Sequence, residues 1–169
     1  MKISIQKACL KDVSTIQNIA LKTWPDTFEN ILSHKQIQYM LEWMYNPPSL
    51  SKQIADENFY FYLAFIDKIP CGFISAEVNY NHSQTTKVHK LYILPAYQGQ
   101  GVGKKLVNKI LSIATQNNNI KLTLNVNKNN PAKYFYEKIG FILVKEELID
   151  IGNNFFMNDF VFEKLINRQ

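Results

Sequence analysis

The spacing of hydrophobic residues near the N-terminus changes from a period of two to the period of a helix. Ile3 and Ile5 alternate with polar neighbours, which predicts a short first strand. From Asp12 to Trp24 the apolar residues recur at helical spacing, which predicts an amphipathic helix. Proline lacks the N–H that a helix interior needs, so we expect Pro25 to end this helix.

A capping signature predicts the second helix. Ser33 and Gln36 have the spacing of a capping box, in which each side chain satisfies a free backbone N–H at the helix start. An amphipathic face follows, and we expect Pro47-Pro48 to end this helix.

The middle of the chain predicts three strands. Phe59–Ile66 is aromatic and apolar, Asp67-Lys68 has the composition of a tight turn, and Ile69–Val78 continues as a second strand. A third strand contains Val88 and Leu91–Leu94.

The remaining elements alternate between helices and strands. A helix after a glycine-rich stretch stops at an asparagine triplet, and Asn130-Pro131 supplies an N-cap and a first helical residue for another helix. The strands predicted in this part are Leu122–Val126, Phe141–Ile149 and Phe155–Phe162. The complete order predicts an α/β fold with a mixed central sheet of about seven strands and four flanking helices.

Composition narrows the class of protein. The chain has 169 residues, of which 46% are hydrophobic and 20% charged, values that fit one folded domain over residues 1–169 and exclude a disordered chain. It contains no apolar run long enough for a membrane span and no signal peptide, so we expect a cytoplasmic protein without a membrane partner. Cys9 and Cys71 are too few for a disulfide scaffold or a zinc cluster, and we expect two buried free thiols and no metal.

The most informative segment is a glycine-rich turn between a predicted strand and a predicted helix. Gly99, Gly101 and Gly103 occupy alternate positions, and Lys104-Lys105 follow them. Glycines let a ligand approach the backbone closely, and the N–H groups at a helix start attract phosphate. The segment does not match a P-loop, because Gln98 stands where the first glycine belongs. A dinucleotide-binding loop is excluded as well, because its third glycine is replaced by Lys104.

Two motifs in the same order resemble the GCN5-related N-acetyltransferase (GNAT) superfamily. Gln98, Gly101 and Gly103 form the Q-x-x-G-x-G pattern of its acetyl-CoA loop. The segment Asn129–Phe141 is similar to the family's N-x-x-A-x-x-x-Y-x-x-x-G-F run, with Tyr136 at the tyrosine position. Counting back from Tyr136 favours Asn129 over Asn130 as the family's asparagine, which leaves Asn130 as the helix cap.

The resemblance implies a GNAT fold with a mostly antiparallel sheet, acetyl-CoA as co-substrate and direct attack of an amine on the thioester. It implies that the loop amides hold the pyrophosphate, and that the pantetheine lies along the third central strand where this strand separates from the next one. Tyr136 resembles the family's general acid, although its periodicity also fits core packing. The implied cofactor-binding residues are Leu91, Tyr92, Ile93, Gln98, Gly99, Gln100, Gly101, Val102, Gly103, Lys104, Asn129 and Tyr136.

The general base stays open between three alternatives. An ammonium group must lose a proton before it can attack the thioester. Many members of the family carry a carboxylate on the strand before the loop, but here that stretch contains His89, whose ordinary pKa suits a base. Glu77 on the preceding strand is the second candidate, and a water relay is the third.

The acceptor site is predicted in the two early helices and their link. Trp24, Asp26, Phe28 and Glu29 combine aromatic rings with carboxylates, a composition that suits a cationic amine, although most aromatic rings of this region are expected to pack in the core. The segment Trp24–Phe28 and the helix after it resemble bacterial polyamine-acetylating members of the family.

Three functions are compatible with these residues: acetylation of a small primary amine, acetylation of a protein N-terminus or lysine, and non-catalytic binding of acetyl-CoA. Tyr136 favours the two enzymes, and the acidic and aromatic residues of the early helices favour the small amine. The lysines are scattered, so nucleic acid is not expected as a partner. The aromatic strand Phe155–Phe162 is a candidate homodimer interface.

Overall fold

A computed structural model describes residues 2–166, in which seven strands and five helices occur. The strands are β1 Ile3–Lys7, β2 Phe59–Ile66, β3 Ile69–Glu77, β4 Thr85–Ile93, β5 Lys121–Asn127, β6 Ile142–Gly152 and β7 Phe155–Leu165. The helices are α1 Val13–Phe28, α2 His34–Met44, α3 Pro47–Ala55, α4 Val102–Gln116 and α5 Ala132–Lys138.

All seven strands form one sheet in the order β1-β2-β3-β4-β5-β7-β6. The pair β4–β5 is parallel and the other five pairs are antiparallel. One hydrophobic core packs α4 and α5 against one face of the sheet, and a second core packs α1, α2 and α3 against the other face. The prediction of a mixed, mostly antiparallel α/β sheet is confirmed.

Two irregularities in β4 open the centre of the sheet. Residues Thr85–Val88 pair with Lys121–Leu124, but the ladder ends there, although both strands continue. In the ladder with β3, Ala76 pairs with Val88 and Ser75 pairs with Lys90, so His89 is the extra residue of a β-bulge. After the bulge, each side chain of β4 points to the face of the sheet opposite to the one that regular alternation would give it. On the side of β4 that faces β5, the backbone groups beyond Val88 have no partners on β5.

Pro25 does not end the first helix, as the sequence predicted; it lies inside α1, which continues to Phe28. The helix survives because Trp24 and Phe28, on either side of the proline, are both buried against the sheet. Their burial offsets the hydrogen bond that the proline cannot donate. Thr27 also donates its hydroxyl to the Thr23 carbonyl at 2.7 Å, an additional hydrogen bond within the last turns.

The prediction for Pro47-Pro48 was also wrong, because these prolines begin a helix that the sequence analysis did not predict. The second helix ends earlier, at Met44. Asn46 then caps α3 by accepting a hydrogen bond from the Ser49 N–H at 2.8 Å. Proline is well tolerated in the first turn of a helix, where its missing N–H would have had no partner. The structure therefore has five helices instead of four.

The aromatic strand predicted as a homodimer interface does not lie at the edge of the sheet. Phe155–Phe162 belongs to β7, which pairs with β5 on one side and β6 on the other. The edge strand next to β7 is β6, where Ile142, Leu143, Val144 and Leu148 are exposed. Within residues 2–166, no helix has the length and apolar character required to cross a membrane.

Candidate functional site

The glycine loop has a backbone conformation that favours glycine at two of its three glycine positions. Gly99 and Gly101 have φ of +74° and +83°, a conformation that favours glycine, and a Cβ atom on either would meet open space. Gly101 is the N-cap of α4, so the first N–H groups of this helix are free to bind a ligand. Lys104 is exposed in the first turn, and the positive end of the helix adds to its charge.

Gly103 serves a different purpose from the other two glycines. It is buried, and a Cβ atom there would lie 3.0 Å from the Phe135 ring and 3.1 Å from the Ile93 side chain. Gly103 therefore permits close packing of α4 against β4 and α5. The loop is held from the other side by Gln98, which donates to the Ile93 carbonyl at 3.0 Å, and by Gln100, which donates to Ala96.

The two asparagines before α5 have separate environments. The Asn130 side chain accepts a hydrogen bond from the Ala132 N–H at 2.9 Å, and the prediction that Asn130 caps this helix is confirmed. Asn129 is exposed, which leaves its side chain accessible to a ligand, as its predicted role requires.

Tyr136 has the burial that core packing requires and the protonation state that its predicted role as a general acid requires. The residue is only 8% exposed, and its ring packs against Phe135, Phe141 and Phe162. Burial, with a smaller effect of nearby Tyr92, raises the pKa of the Tyr136 hydroxyl above its ordinary value. The hydroxyl is therefore protonated at neutral pH, which is the form that a general acid needs.

The two residues predicted as alternative bases lie together on the bulged part of β4 and on β3. His89 Nε2 is 2.9 Å from Glu77 Oε2, and the imidazole stacks on Phe59. Burial and the charges of Lys90 and Lys87 lower the pKa of His89 to about 3. A neutral imidazole at pH 7 makes this contact a hydrogen bond from Nε2–H to the carboxylate. So low a pKa makes His89 a weak proton acceptor.

The structure separates the four residues predicted as the acceptor site. Trp24 and Phe28 are 1% and 4% exposed, and their ring centroids lie 4.5 Å apart in the core beneath α1. Asp26 on α1 and Glu29, which directly follows the helix, are both exposed. The core interpretation of the two rings is correct, because the sheet buries the face of α1 that carries them.

The sequence analysis missed a buried lysine on β4. Lys90 is 4% exposed, donates to Gln53 Oε1 at 3.0 Å and lies over the ring of Tyr45. Burial lowers its pKa to about 8, since few groups in this core compensate the charge. The β-bulge at His89 produces this burial by turning Lys90 toward α3.

We expect Lys90→Met to stabilise the protein at neutral pH. Because the folded state holds fewer protons than the unfolded state between about pH 8 and 10.5, the parent protein should gain stability as the pH rises through that window. The lowered pKa of Lys90 means that burying its charged form reduces the free energy of unfolding by about 3 kcal/mol at pH 7. Urea unfolding at several pH values should show a higher free energy of unfolding for Lys90→Met than for the parent at pH 7. The free energy of unfolding of Lys90→Met should not show the parent's rise between about pH 8 and 10.5. A variant that is less stable at pH 7 would contradict the prediction.

A polar surface that the sequence analysis also missed continues from Glu77 and His89 across β5, β7 and β6. Lys87 Nζ bonds to Asn125 Oδ1, and Asn125 Nδ2 donates to Glu147 Oε2 at 2.9 Å. Asp159 on β7 joins this set and is only 5% exposed. The sequence signal for this surface is Asp159 itself, which interrupts the apolar residues Phe155, Met157 and Val161 at alternate positions of the last strand.

Several other features do not contribute to this site. Cys71 is buried, and burial raises the pKa of its thiol, so Cys71 is a poor nucleophile. Cys9 is exposed, whereas the sequence predicted that both thiols are buried.

A groove of about 430 Å³ between α1 and α2 contains none of the predicted site residues, and we assign no ligand to it. Among residues 2–166, no three His, Cys, Asp or Glu side chains are arranged to hold a metal.

Comparison with known proteins gives a consistent result. The family model of the acetyltransferase (GNAT) domain matches residues 29–157. A spermidine N(1)-acetyltransferase of Thermoplasma acidophilum is 28% identical over 93% of this chain and 96% of its own length. A [ribosomal protein bS18]-alanine N-acetyltransferase of Haemophilus influenzae is 39% identical over 38% of this chain and 40% of its own length.

A solved structure extends the similarity to the fold. The PaiA N-acetyltransferase of Thermoplasma acidophilum, solved in complex with coenzyme A, superimposes with a TM-score of 0.84. It is 26% identical, and the match covers 98% of this chain and 99% of that one. Since the family model also covers most of the chain, the protein belongs to the GNAT acetyltransferases, enzymes that use acetyl-CoA as co-substrate.

Proposed function

We propose that this enzyme transfers the acetyl group of acetyl-CoA to a primary amine of a small, polyamine-like acceptor. The observation that carries this proposal is the full-length similarity to a spermidine N(1)-acetyltransferase. Asp159 on the polar surface beside the β4–β5 gap supports it, because a buried carboxylate suits a cationic ligand, whereas Glu77 and Glu147 already pair with His89 and Lys145.

The residues around the gap fit the co-substrate. The positive-φ glycines leave an open cradle at the start of α4, which the pyrophosphate would occupy, and the separation of β4 from β5 leaves room for the pantetheine. The Leu94 N–H bonds to Cys71 on β3, so the strand alternation directs the Ile93 N–H toward the gap. Bound acetyl-CoA supplies an acetyl group on a thioester, whose carbonyl oxygen the Ile93 N–H would polarise. The Tyr136 hydroxyl would protonate the departing sulfur.

A panel of amines tests the acceptor class. We expect spermidine and related polyamines to release free thiol from acetyl-CoA. Because attraction between an acidic site and a cationic amine is screened by salt, the KM for the polyamine should rise with ionic strength. An arylamine that is neutral at pH 7 serves as the control, and its KM should change less.

The same panel separates the competing acceptor. Peptides with free N-termini represent the alternative suggested by the partial similarity to the ribosomal alanine acetyltransferase. If peptides are acetylated while every small amine is inert, the small-amine proposal is wrong. The double variant Asp26→Asn, Glu29→Gln tests whether the exposed acids at the C-terminal end of α1 contribute. A contribution would raise the KM for the amine and leave the KM for acetyl-CoA unchanged.

A further inference from the structure

Asp159 occupies the centre of the polar surface beside the gap. It lies on β7, where it pairs with Asn127 of β5 on one side and with Glu147 of β6 on the other. Burial is the main cause that raises the pKa of Tyr92 on β4, and the charge of Asp159 adds a smaller contribution. Tyr92 in turn influences the pKa of Tyr136. Because Asn127 lies beyond Leu124, where the β4–β5 ladder ends, Asp159 lies beside the gap in which the proposed function places the thioester.

The carboxylate of Asp159 is buried without a complete set of partners. The residue is 5% exposed, and its Oδ1 atom is buried with no hydrogen-bond partner among residues 2–166. An unpartnered carboxylate oxygen away from water is costly in free energy. A sheet strand that needed only packing would carry an apolar residue here, so the oxygen points to a ligand that donates a hydrogen bond.

The charged neighbours of Asp159 are already engaged with one another. Lys87 bonds to Asn125, and Glu147 accepts hydrogen bonds from Asn125 at 2.9 Å and from Lys145 at 2.7 Å. Burial raises the pKa of Asp159 to about 6; Asn125 and Lys87 lower it, whereas Glu147 raises it. Asp159 is ionised at pH 7, and its pKa is closer to the working pH than that of His89.

We propose that Asp159 binds the ammonium group of the acceptor amine and removes the proton that blocks attack, which makes it a catalytic residue for the reaction. This inference rests on the proposed transfer to an amine. The ammonium gives one proton to the Asp159 carboxylate, and the free amine forms the N–C bond while the C–S bond breaks. Tyr136 gives its proton to the sulfur, and the second nitrogen proton restores Tyr136. Asp159 then releases its proton to solvent.

The test compares Asp159→Asn with the parent enzyme, using spermidine as the acceptor. We expect kcat/KM to fall by about 10²–10⁴-fold, with a recovery as the pH rises and free amine accumulates. In the parent, kcat/KM should rise with pH through about pH 6, and this limb should be absent from the variant. Calorimetry without acetyl-CoA should show weaker spermidine binding, while coenzyme A binding should be unchanged.

A matched control removes an exposed carboxylate from the same hairpin. Asp150 is exposed in β6, and its Oδ1 accepts a hydrogen bond from the Gly152 N–H that asparagine can also accept. Asp150→Asn should therefore behave as the parent. A folded Asp159→Asn variant that retains the parental kcat/KM and pH profile would overturn the inference. If the parent acetylates only peptides, the small-amine function fails, and the same comparison with a peptide acceptor still decides the role of Asp159.

Discussion

Replacing Tyr136 by phenylalanine is expected to lower kcat by about 10²–10⁴-fold, the usual contribution of a general acid. The phenylalanine ring would keep the contacts with Phe135, Phe141 and Phe162, so only the hydroxyl is lost. That hydroxyl is protonated at neutral pH, because burial raises its pKa, and it would otherwise protonate the departing thiolate. Thiol release under saturating substrates measures kcat, and calorimetry should give an affinity for coenzyme A within about threefold of the parent.

The same helix offers a matched control for this substitution. Tyr134 is 64% exposed on α5, two residues before Tyr136, and its hydroxyl lies outside the core. Tyr134→Phe makes the same chemical change and should leave both kcat and affinity unchanged. If Tyr136→Phe were as active as Tyr134→Phe, Tyr136 would be a core residue without a catalytic role.

The strands could be predicted because their signals are local. The observed bounds of β2 agree with the prediction for Phe59–Ile66, since a continuous aromatic and apolar run is typical of a strand buried on both faces. Asp67 and Lys68 both have positive φ, in agreement with the predicted tight turn. Each of these features depends on residues adjacent in the chain.

The helices were predicted less well, because tertiary burial decided the role of each proline. Pro25 lies within α1, since Trp24 and Phe28 are held by the sheet. Pro47-Pro48 starts α3, since Asn46 caps the helix before it. A proline signals a helix end or a helix start, and the distinction here required knowledge of the contacts around it.

The candidate site divides in the same way. The glycine loop and Tyr136 belong to contiguous motifs, which the sequence displays directly. Lys90 and Asp159 could not be recognised, because the burial of Lys90 depends on the bulge at His89 and that of Asp159 on the placement of β7 between β5 and β6. Pairing between strands that are distant in sequence thus created the part of the site that motifs do not describe.

The second large effect is expected at Gly101, where a side chain should weaken the binding of coenzyme A. The position is open to solvent and has φ of +83°, so valine would both strain the backbone and fill the space proposed for the pyrophosphate. Losing a single amide hydrogen bond to a charged phosphate costs about 1.5–3 kcal/mol. We therefore expect Gly101→Val to raise the Kd for coenzyme A at least about tenfold in calorimetry.

Gly101→Asn separates the two causes, because asparagine tolerates positive φ better than valine but still occupies the space above the loop. If the pyrophosphate lies against Gly101, the asparagine variant should also bind coenzyme A weakly. Gly140→Asn is the control, since Gly140 has φ of +91° beyond the end of α5 and its Cβ would meet only the flexible Lys164 side chain. This control should bind like the parent. Parental affinity in Gly101→Asn together with weak binding in Gly101→Val would show that the loop needs glycine for its backbone conformation and that the pyrophosphate lies elsewhere.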